Sequence, residues 1–203
     1  MITGNLFIVT AASGAGKTSL IKALLAEDTR LKLSISHTTR QPRPGEVNGV
    51  DYHFVNEATF LQLLSDAQFL ESAEVHGARY GTSQCAVDGP MQAGFDVILE
   101  IDWQGAAQVR HLYPNAVSIF VLPPSLETLE HRLNNRGQDS QETISKRVAA
   151  AREEMRHVGE FDYVTINDYF DVALQDIKAI VRARRLTGAV QLQRYASLIQ
   201  ALT

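Results

Sequence analysis

The run Ala11-Ala12-Ser13-Gly14-Ala15-Gly16-Lys17-Thr18 follows directly on the apolar segment Leu6-Phe7-Ile8-Val9, and Leu20, Ile21, Leu24 and Leu25 then recur at helical spacing. A buried strand, a loop of small residues and a helix in that order form a cradle for phosphate. Small residues let consecutive backbone N–H groups converge on phosphate oxygens, and the helix adds the positive end of its dipole. Lys17 is spaced to reach the outer phosphates, and the Thr18 hydroxyl to ligate magnesium. The full pattern G-x-x-x-x-G-K-[ST] is missed by one methyl group, because Ala11 stands at its first glycine. Alanine is tolerated there if it keeps a negative φ; a positive φ would contradict the reading. A tight turn with no ligand is the plainer alternative. The Gly-Lys-Thr ending and the strand-to-helix context favour the phosphate loop, and with it a nucleoside triphosphate.

Composition narrows what surrounds the loop. A chain of 203 residues with 45% hydrophobic content supports one sizeable core and a small inserted lobe. Lys and Arg total 19 against 23 acidic residues, for a net charge of −4, which argues against a nucleic-acid binder that relies on a basic surface. No stretch approaches the length needed to span a bilayer, so no membrane partner is expected. The single Cys85 has no partner for an internal disulfide, and the first residues lack the basic and long apolar regions of a secretory signal. A reducing, cytoplasmic compartment is the expectation. The six histidines show no metal-ligand spacing and read as surface or packing residues.

Further along, Leu33 to Ser36 reads as a short strand leading into Ser36-His37-Thr38-Thr39-Arg40. The prolines and glycine of Gln41-Pro42-Arg43-Pro44-Gly45-Glu46 then call for extended chain and the start of a new lobe. Within that lobe Tyr52–Val55 is strand-like, Glu57–Ser65 helix-like, and Phe69–Val75 with Gly77–Tyr80 resembles a hairpin. The core resumes with Val97–Asp102, an apolar run suited to a strand buried on both faces, and again with Ala116–Leu122. Ser125 is a good N-cap for a helix bearing Leu126, Leu129 and Leu133, which Gly137 closes. Asp139-Ser140-Gln141-Glu142 resembles a capping box for a second helix with Ile144, Val148, Ala151 and Met155 on its apolar stripe. A fifth core strand is expected at Tyr163–Ile166, followed by closing helices over Val172–Leu186 and Leu192–Leu202. Strands alternating with helices predict an α/β fold with a parallel sheet. For the terminal stripe of Leu192, Tyr195, Ile199 and Leu202, core packing is the favoured reading and contact between copies in a homo-oligomer the alternative.

In Arg40-Gln41-Pro42-Arg43-Pro44 each proline biases its predecessor toward extended, polyproline-like geometry with three residues per turn. Arg40 and Arg43 then project to one side, where two guanidinium groups can grip a phosphate. An isolated R-x-x-R reads more simply as a solvated basic loop; the neighbouring tyrosines favour the phosphate.

Several further segments carry a resemblance: Ser36–Glu46, Gly49-Val50-Asp51-Tyr52, Tyr80-Gly81-Thr82-Ser83, Asp102-Trp103-Gln104-Gly105, Arg136-Gly137 and Lys146-Arg147. With the phosphate loop, they make nearly the whole chain resemble guanylate kinases, the bacterial type above all. The resemblance implies a P-loop kinase with a five-stranded parallel core sheet, a small mixed α+β GMP-binding lobe and a helical lid. Its implied boundaries are 1–36, 89–124 and 158–203 for the core, 37–88 for the lobe and 125–157 for the lid. ATP is expected along Ala11 through Thr18 and Ser19, with Arg132 assisting and Asn167 near the adenine. Arg40, Arg43, Tyr52 and Tyr80 are expected to hold the GMP phosphate, and Ser36, Glu71, Thr82 and Asp102 to surround the guanine. Lys17, Arg43, Arg136 and Arg147 are the expected catalytic set. Magnesium accompanies ATP, with Thr18 and Glu100 in its shell; Glu100 stands where many relatives have aspartate.

Chemistry agrees with the guanine assignment. Guanine presents N1–H and an exocyclic amino group, both donors, so an ionised carboxylate at Glu71 is the matching acceptor; O6 accepts and suits a hydroxyl at Ser36 or Thr82. Because the attacking oxygen already belongs to a phosphate anion, positioning and charge neutralisation are expected to dominate over base catalysis. Two rival readings differ from it in the residues they require. A kinase for a phosphorylated ribose would lack the set Ser36, Glu71 and Thr82. A non-catalytic scaffold module would often lose Lys17 or the lid arginines, and here Lys17, Thr18, Arg136 and Arg147 are all present.

Overall fold

The computed structural model describes residues 3–75, 77–134 and 141–203. The first half runs β1 (Leu6–Ala11), α1 (Lys17–Glu27), β2 (Leu31–Leu33), β3 (His37–Thr38), β4 (His53–Phe54), α2 (Glu57–Ser65), β5 (Phe69–Val75), β6 (Ala78–Ser83) and α3 (Gln84–Gln92). The second runs β7 (Asp96–Glu100), α4 (Trp103–Leu112), β8 (Val117–Leu122), α5 (Leu126–Asn134), α6 (Gln141–Arg156), β9 (Tyr163–Ile166), α7 (Phe170–Arg185), α8 (Gly188–Arg194) and α9 (Ala196–Leu202).

The expected five-stranded parallel sheet is present, in the order β2-β7-β1-β8-β9. Its central strand, β1, is buried from Leu6 to Thr10, which is why the sequence shows a continuous apolar run there and no alternation. Side chains of β1 alternate between two cores. Phe7 and Val9 pack with Leu20, Ile21 and Leu24 of α1 and with Ile177 and Val181 of α7. Leu6 and Ile8 pack on the other side with Leu99, Val109 and Phe120.

A second sheet, β4-β3-β6-β5, is built from the segment between β2 and β7. The predicted hairpin is its β5–β6 pair, antiparallel, with a register irregularity between Phe69 and Glu71. Phe60 of α2 anchors it, its ring 4.7 Å from that of Phe69. Gly81 is required by this packing, since a Cβ there would come within 3.0 to 3.1 Å of the Phe69 and Phe60 rings.

The structure corrects several local expectations. The strand expected over Leu33–Ser36 is Leu31–Leu33, because the Ser36 carbonyl already accepts from His53 N–H in the second sheet. The strand at Tyr52–Val55 shrinks to His53–Phe54, since the Tyr52 carbonyl is taken by the Gly49 N–H at 2.8 Å. The helix expected over Leu192–Leu202 is broken at Tyr195 (φ −114°, ψ 28°) into two short helices with no buried residue. Leu192, Tyr195 and Leu202 are therefore exposed and not packed in the core. Ser125 does cap α5, its Oγ accepting from Thr128 N–H at 3.1 Å. Gly137 and the start of the capping box at Asp139 lie outside the described residues. Among the described residues no helix is long and apolar enough to cross a membrane.

One largely buried ionic cluster ties the amino ends of the central strands to the closing helix α7. Arg185 of α7 donates through Nε to Asp96 and through Nη1 to Asp28, each at 2.5 Å. Asp96 Oδ1 also accepts from the Asn5 backbone and side-chain amides at 2.7 and 2.8 Å. Removing one partner of such a pair strands the other charge in the interior. Asp96→Ala is expected to lower unfolding free energy by about 3 to 5 kcal/mol, read by urea denaturation; a loss under about 1 kcal/mol would show that the cluster does not hold these elements together.

Candidate active site

Parallel pairing aligns the carboxyl ends of β1, β7 and β8, and open α/β sheets bind ligands at that edge. The loop from Ala12 to Gly16 leaves β1 and enters α1. Gly14 and Gly16 adopt φ of 94° and 98°, the left-handed region in which glycine is unstrained. Ala11 is not among the residues with positive φ, so its methyl group is accommodated without backbone strain, as the loop reading required. Gly16 also answers to space: a Cβ there would meet Asn167 Nδ2 at 2.3 Å. The buried Asn167 amide donates to the Ala15 carbonyl at 2.7 Å, while Arg132 donates to the Asn167 carbonyl at 2.9 Å and to the Ala15 carbonyl at 3.4 Å. Both side chains brace the loop from behind and do not line the cleft in front of it.

At the mouth, Lys17 Nζ donates to the Ile101 carbonyl at 3.1 Å, and Thr10 Oγ1 donates to the same oxygen at 3.1 Å. The Thr18 hydroxyl is hydrogen-bonded to the Glu100 carboxylate. A hydroxyl and a carboxylate in contact are a hard-oxygen pair suited to a magnesium ion or its waters. Helix α6 lies over the loop tip. Arg147 donates to Ser13 Oγ at 3.2 Å, and Glu154, two turns on along the same face, accepts from Ser13 N–H at 2.9 Å. Arg136 lies outside the described residues.

A cleft of about 210 Å³ runs from this loop to the second sheet, with Lys17, Thr18 and Arg147 on one side and Ser36, Arg43, Tyr52, Glu71 and Tyr80 on the other. Glu100 and Asp102 lie between them. Thr82, fully buried, stands behind Ser36, their hydroxyl oxygens 3.1 Å apart. Glu71 is 3% exposed on β5. Burial pushes its carboxyl up to about 7; hydrogen bonds from Thr82 oppose the shift and the neighbouring Asp102 charge adds to it. Free of ligand, this group is therefore only partly ionised near neutral pH, a refinement of the fully ionised carboxylate expected from sequence.

The two arginines of the Pro-rich segment separate in their contacts. Arg43 reaches the cleft, whereas Arg40 does not line it. Arg40 lies over the Tyr52 ring at 5.5 Å and donates to Glu46 at 2.8 Å, with Tyr80 a further hydrogen-bond partner. Glu46, to which the sequence reading gave no role, also accepts from the Arg43 backbone N–H at 2.7 Å. A turn brings it back: Glu46 N–H bonds the Arg43 carbonyl at 3.0 Å across Pro44 and Gly45, with Gly45 at φ 86°. Its signal in the sequence is that Pro-Gly pair. Glu154 was also missed, and its signal is the seven-residue spacing from Arg147 on one helix.

With this geometry in hand, comparison with known proteins is direct. The family model described as Guanylate kinase matches residues 3–184. The guanylate kinase of Methylobacillus flagellatus is 65% identical over 199 residues, covering 98% of each chain. That of Dechloromonas aromatica is 54% identical over 201 residues, 99% of this chain and all of its own. The crystal structure of guanylate kinase from Anaplasma phagocytophilum superposes with a TM-score of 0.79 at 31% identity, over 95% of this chain and 93% of the other. The chain belongs to the guanylate kinase family.

Proposed function

We infer that this protein is a nucleoside monophosphate kinase that transfers the terminal phosphoryl group of ATP to GMP, yielding ADP and GDP for guanine nucleotide synthesis and recycling in the cytoplasm. The observation that carries the reading is the shared cleft, with Lys17 and Thr18 at one end and Arg43, Tyr80 and Glu71 at the other. We divide the chain into a core (1–36, 89–124, 158–203), a GMP lobe (37–88) and a lid (125–157).

On the donor side, the N–H groups of the loop from Ala11 to Ser19 cradle the ATP phosphates and Lys17 releases the Ile101 carbonyl to reach them. Arg132 and Asn167 hold the loop in shape beneath the nucleotide. Thr18 and Glu100 would hold magnesium, which would neutralise phosphate charge there. On the acceptor side, Arg43 and the Tyr52 and Tyr80 hydroxyls take the GMP phosphate, with Arg40 holding both tyrosines in place. Glu71 reads N1–H and the amino group of guanine; Ser36, backed by Thr82, supplies a hydroxyl to O6, and Asp102 completes the base pocket.

Transfer forms a bond from a GMP phosphate oxygen to the terminal phosphorus as the bond to the bridging ADP oxygen breaks. Lys17, Arg43, Arg136 and Arg147 stabilise the charge spread over the moving group, so no base or covalent nucleophile is required.

Purified protein with magnesium and ATP, offered GMP, AMP, CMP, UMP and a ribose bisphosphate in parallel, is expected to phosphorylate GMP preferentially. Preference for AMP or the sugar would overturn the guanine assignment. Lys17→Ala and Arg43→Ala are each expected to lower kcat/KM by roughly 100-fold or more, and full turnover would remove those roles. The pH dependence has a defined sign. The Glu71 carboxyl, pushed up to about 7, gains its accepting ionised form as pH rises, so the GMP KM falls between pH 6 and 8. Glu71→Gln carries the same GMP phosphate ionisation but not this one, and its KM profile is expected to be flatter; identical profiles would contradict the assignment. Raised above its unfolded value, the same group contributes most to stability at low pH and loses that contribution as pH climbs through about 7. Glu71→Gln is accordingly expected to melt higher relative to wild type at pH 8 than at pH 5.

A further inference from the structure

We propose that Gly105 is a specificity-determining position, whose missing side chain seats the Glu71 carboxylate where guanine is read. The inference rests on the reading that Glu71 contacts the base. Gly105 lies in the first turn of α4, its N–H bonded to the Asp102 carboxylate at 2.9 Å. A Cβ at this position would stand 2.4 Å from Glu71 Oε2, 3.0 Å from its Cδ and 3.3 Å from Asp102 Oδ1. Gly105 is not in the left-handed region, so backbone conformation does not demand glycine, and within a helix glycine is otherwise a poor choice. Space for the carboxylate is what the glycine provides.

The seat is held from a second point. One turn along α4, Gln108 donates to the Ser72 carbonyl at 2.9 Å and accepts from the Ser72 N–H at 3.2 Å. Ser72 follows Glu71 on β5, the edge strand of its sheet, and Gln108 thus satisfies edge groups while fixing strand to helix. On its far side Glu71 is bonded by Thr82. Pinned at the strand and bonded by Thr82, the carboxylate has little room to yield, and a methyl group at 105 displaces it from this seat. The N-terminal turn of α4 also presents the positive end of the helix dipole, a favourable neighbour for a negative charge.

The test is a kinetic cycle on wild type, Gly105→Ala, Glu71→Ala and the double variant, with GMP, with inosine 5′-monophosphate, which lacks the exocyclic amino group, and with varied ATP. Gly105→Ala is expected to raise the GMP KM by about 10-fold or more and to narrow the preference for GMP over the inosine nucleotide. Its ATP KM stays within about two-fold, because the phosphate loop is not touched. Added to Glu71→Ala, the same substitution changes nothing further, because no carboxylate remains to be displaced. A wild-type GMP KM and base preference in Gly105→Ala, or an undiminished effect in the Glu71→Ala background, would each overturn the seat. An unchanged GMP KM in Glu71→Ala alone would instead overturn the guanine reading on which the seat depends.

Discussion

The pairing of β1 with β7 sets the geometry on which the whole cleft depends. Val9 lies opposite Glu100, so the phosphate loop leaves one strand beside the point where Glu100, Ile101 and Asp102 leave the other. One carbonyl, that of Ile101, accepts from both Thr10 and Lys17 and ties the two strand ends together. Glu100 then meets Thr18, while Asp102 caps α4 and lines the same cleft. A one-residue slip in this register would turn every side chain of β7 to the opposite face and dissolve both halves at once.

Burial does different work at the two ends. The donor end is built from backbone N–H groups and small residues, whose strain is relieved by the left-handed glycines at 14 and 16. Its bracing side chains, Asn167 and Arg132, act on carbonyl oxygens from behind and leave the front open. The acceptor end concentrates polar side chains in a desolvated wall: Ser36, Glu71 and Thr82 are all buried. Burial opposes ionisation of the Glu71 carboxyl, and in the proposed function a base that supplies two donors offsets that cost. Under that proposal, selectivity follows from what a wrong base would leave unpaired.

How much of this was legible in the chain depends on the range of the interaction. β1, β7 and β8 were legible because strands buried on both faces are apolar throughout, and α2 because it is an uninterrupted run behind the capping residue Asn56. Helix α4 went unrecognised: its residues from Trp103 to Leu112 mix polar and apolar types with a glycine in the first turn, and its cap at Asp102 reads equally well as a strand end. Helix α3 was hidden by Gly89 and Pro90 in its interior. Glu46 and Glu154 gain meaning only once a turn or a helix carries them to partners, and Gly105 only once β5 is packed on α4. The pairing of Arg40 with Arg43 follows from polyproline spacing and the role of Tyr80 from resemblance; in the structure Arg40 packs on the Tyr52 ring while Arg43 faces the cleft.

If donor and acceptor sites are two ends of one cleft, a single molecule carrying both nucleosides must span them. Titration calorimetry with adenosine and guanosine joined through five phosphates tests this directly. One molecule is predicted to bind per chain and to exclude both ATP and GMP. Exclusion of only one nucleotide, or binding of two molecules per chain, would contradict a shared cleft.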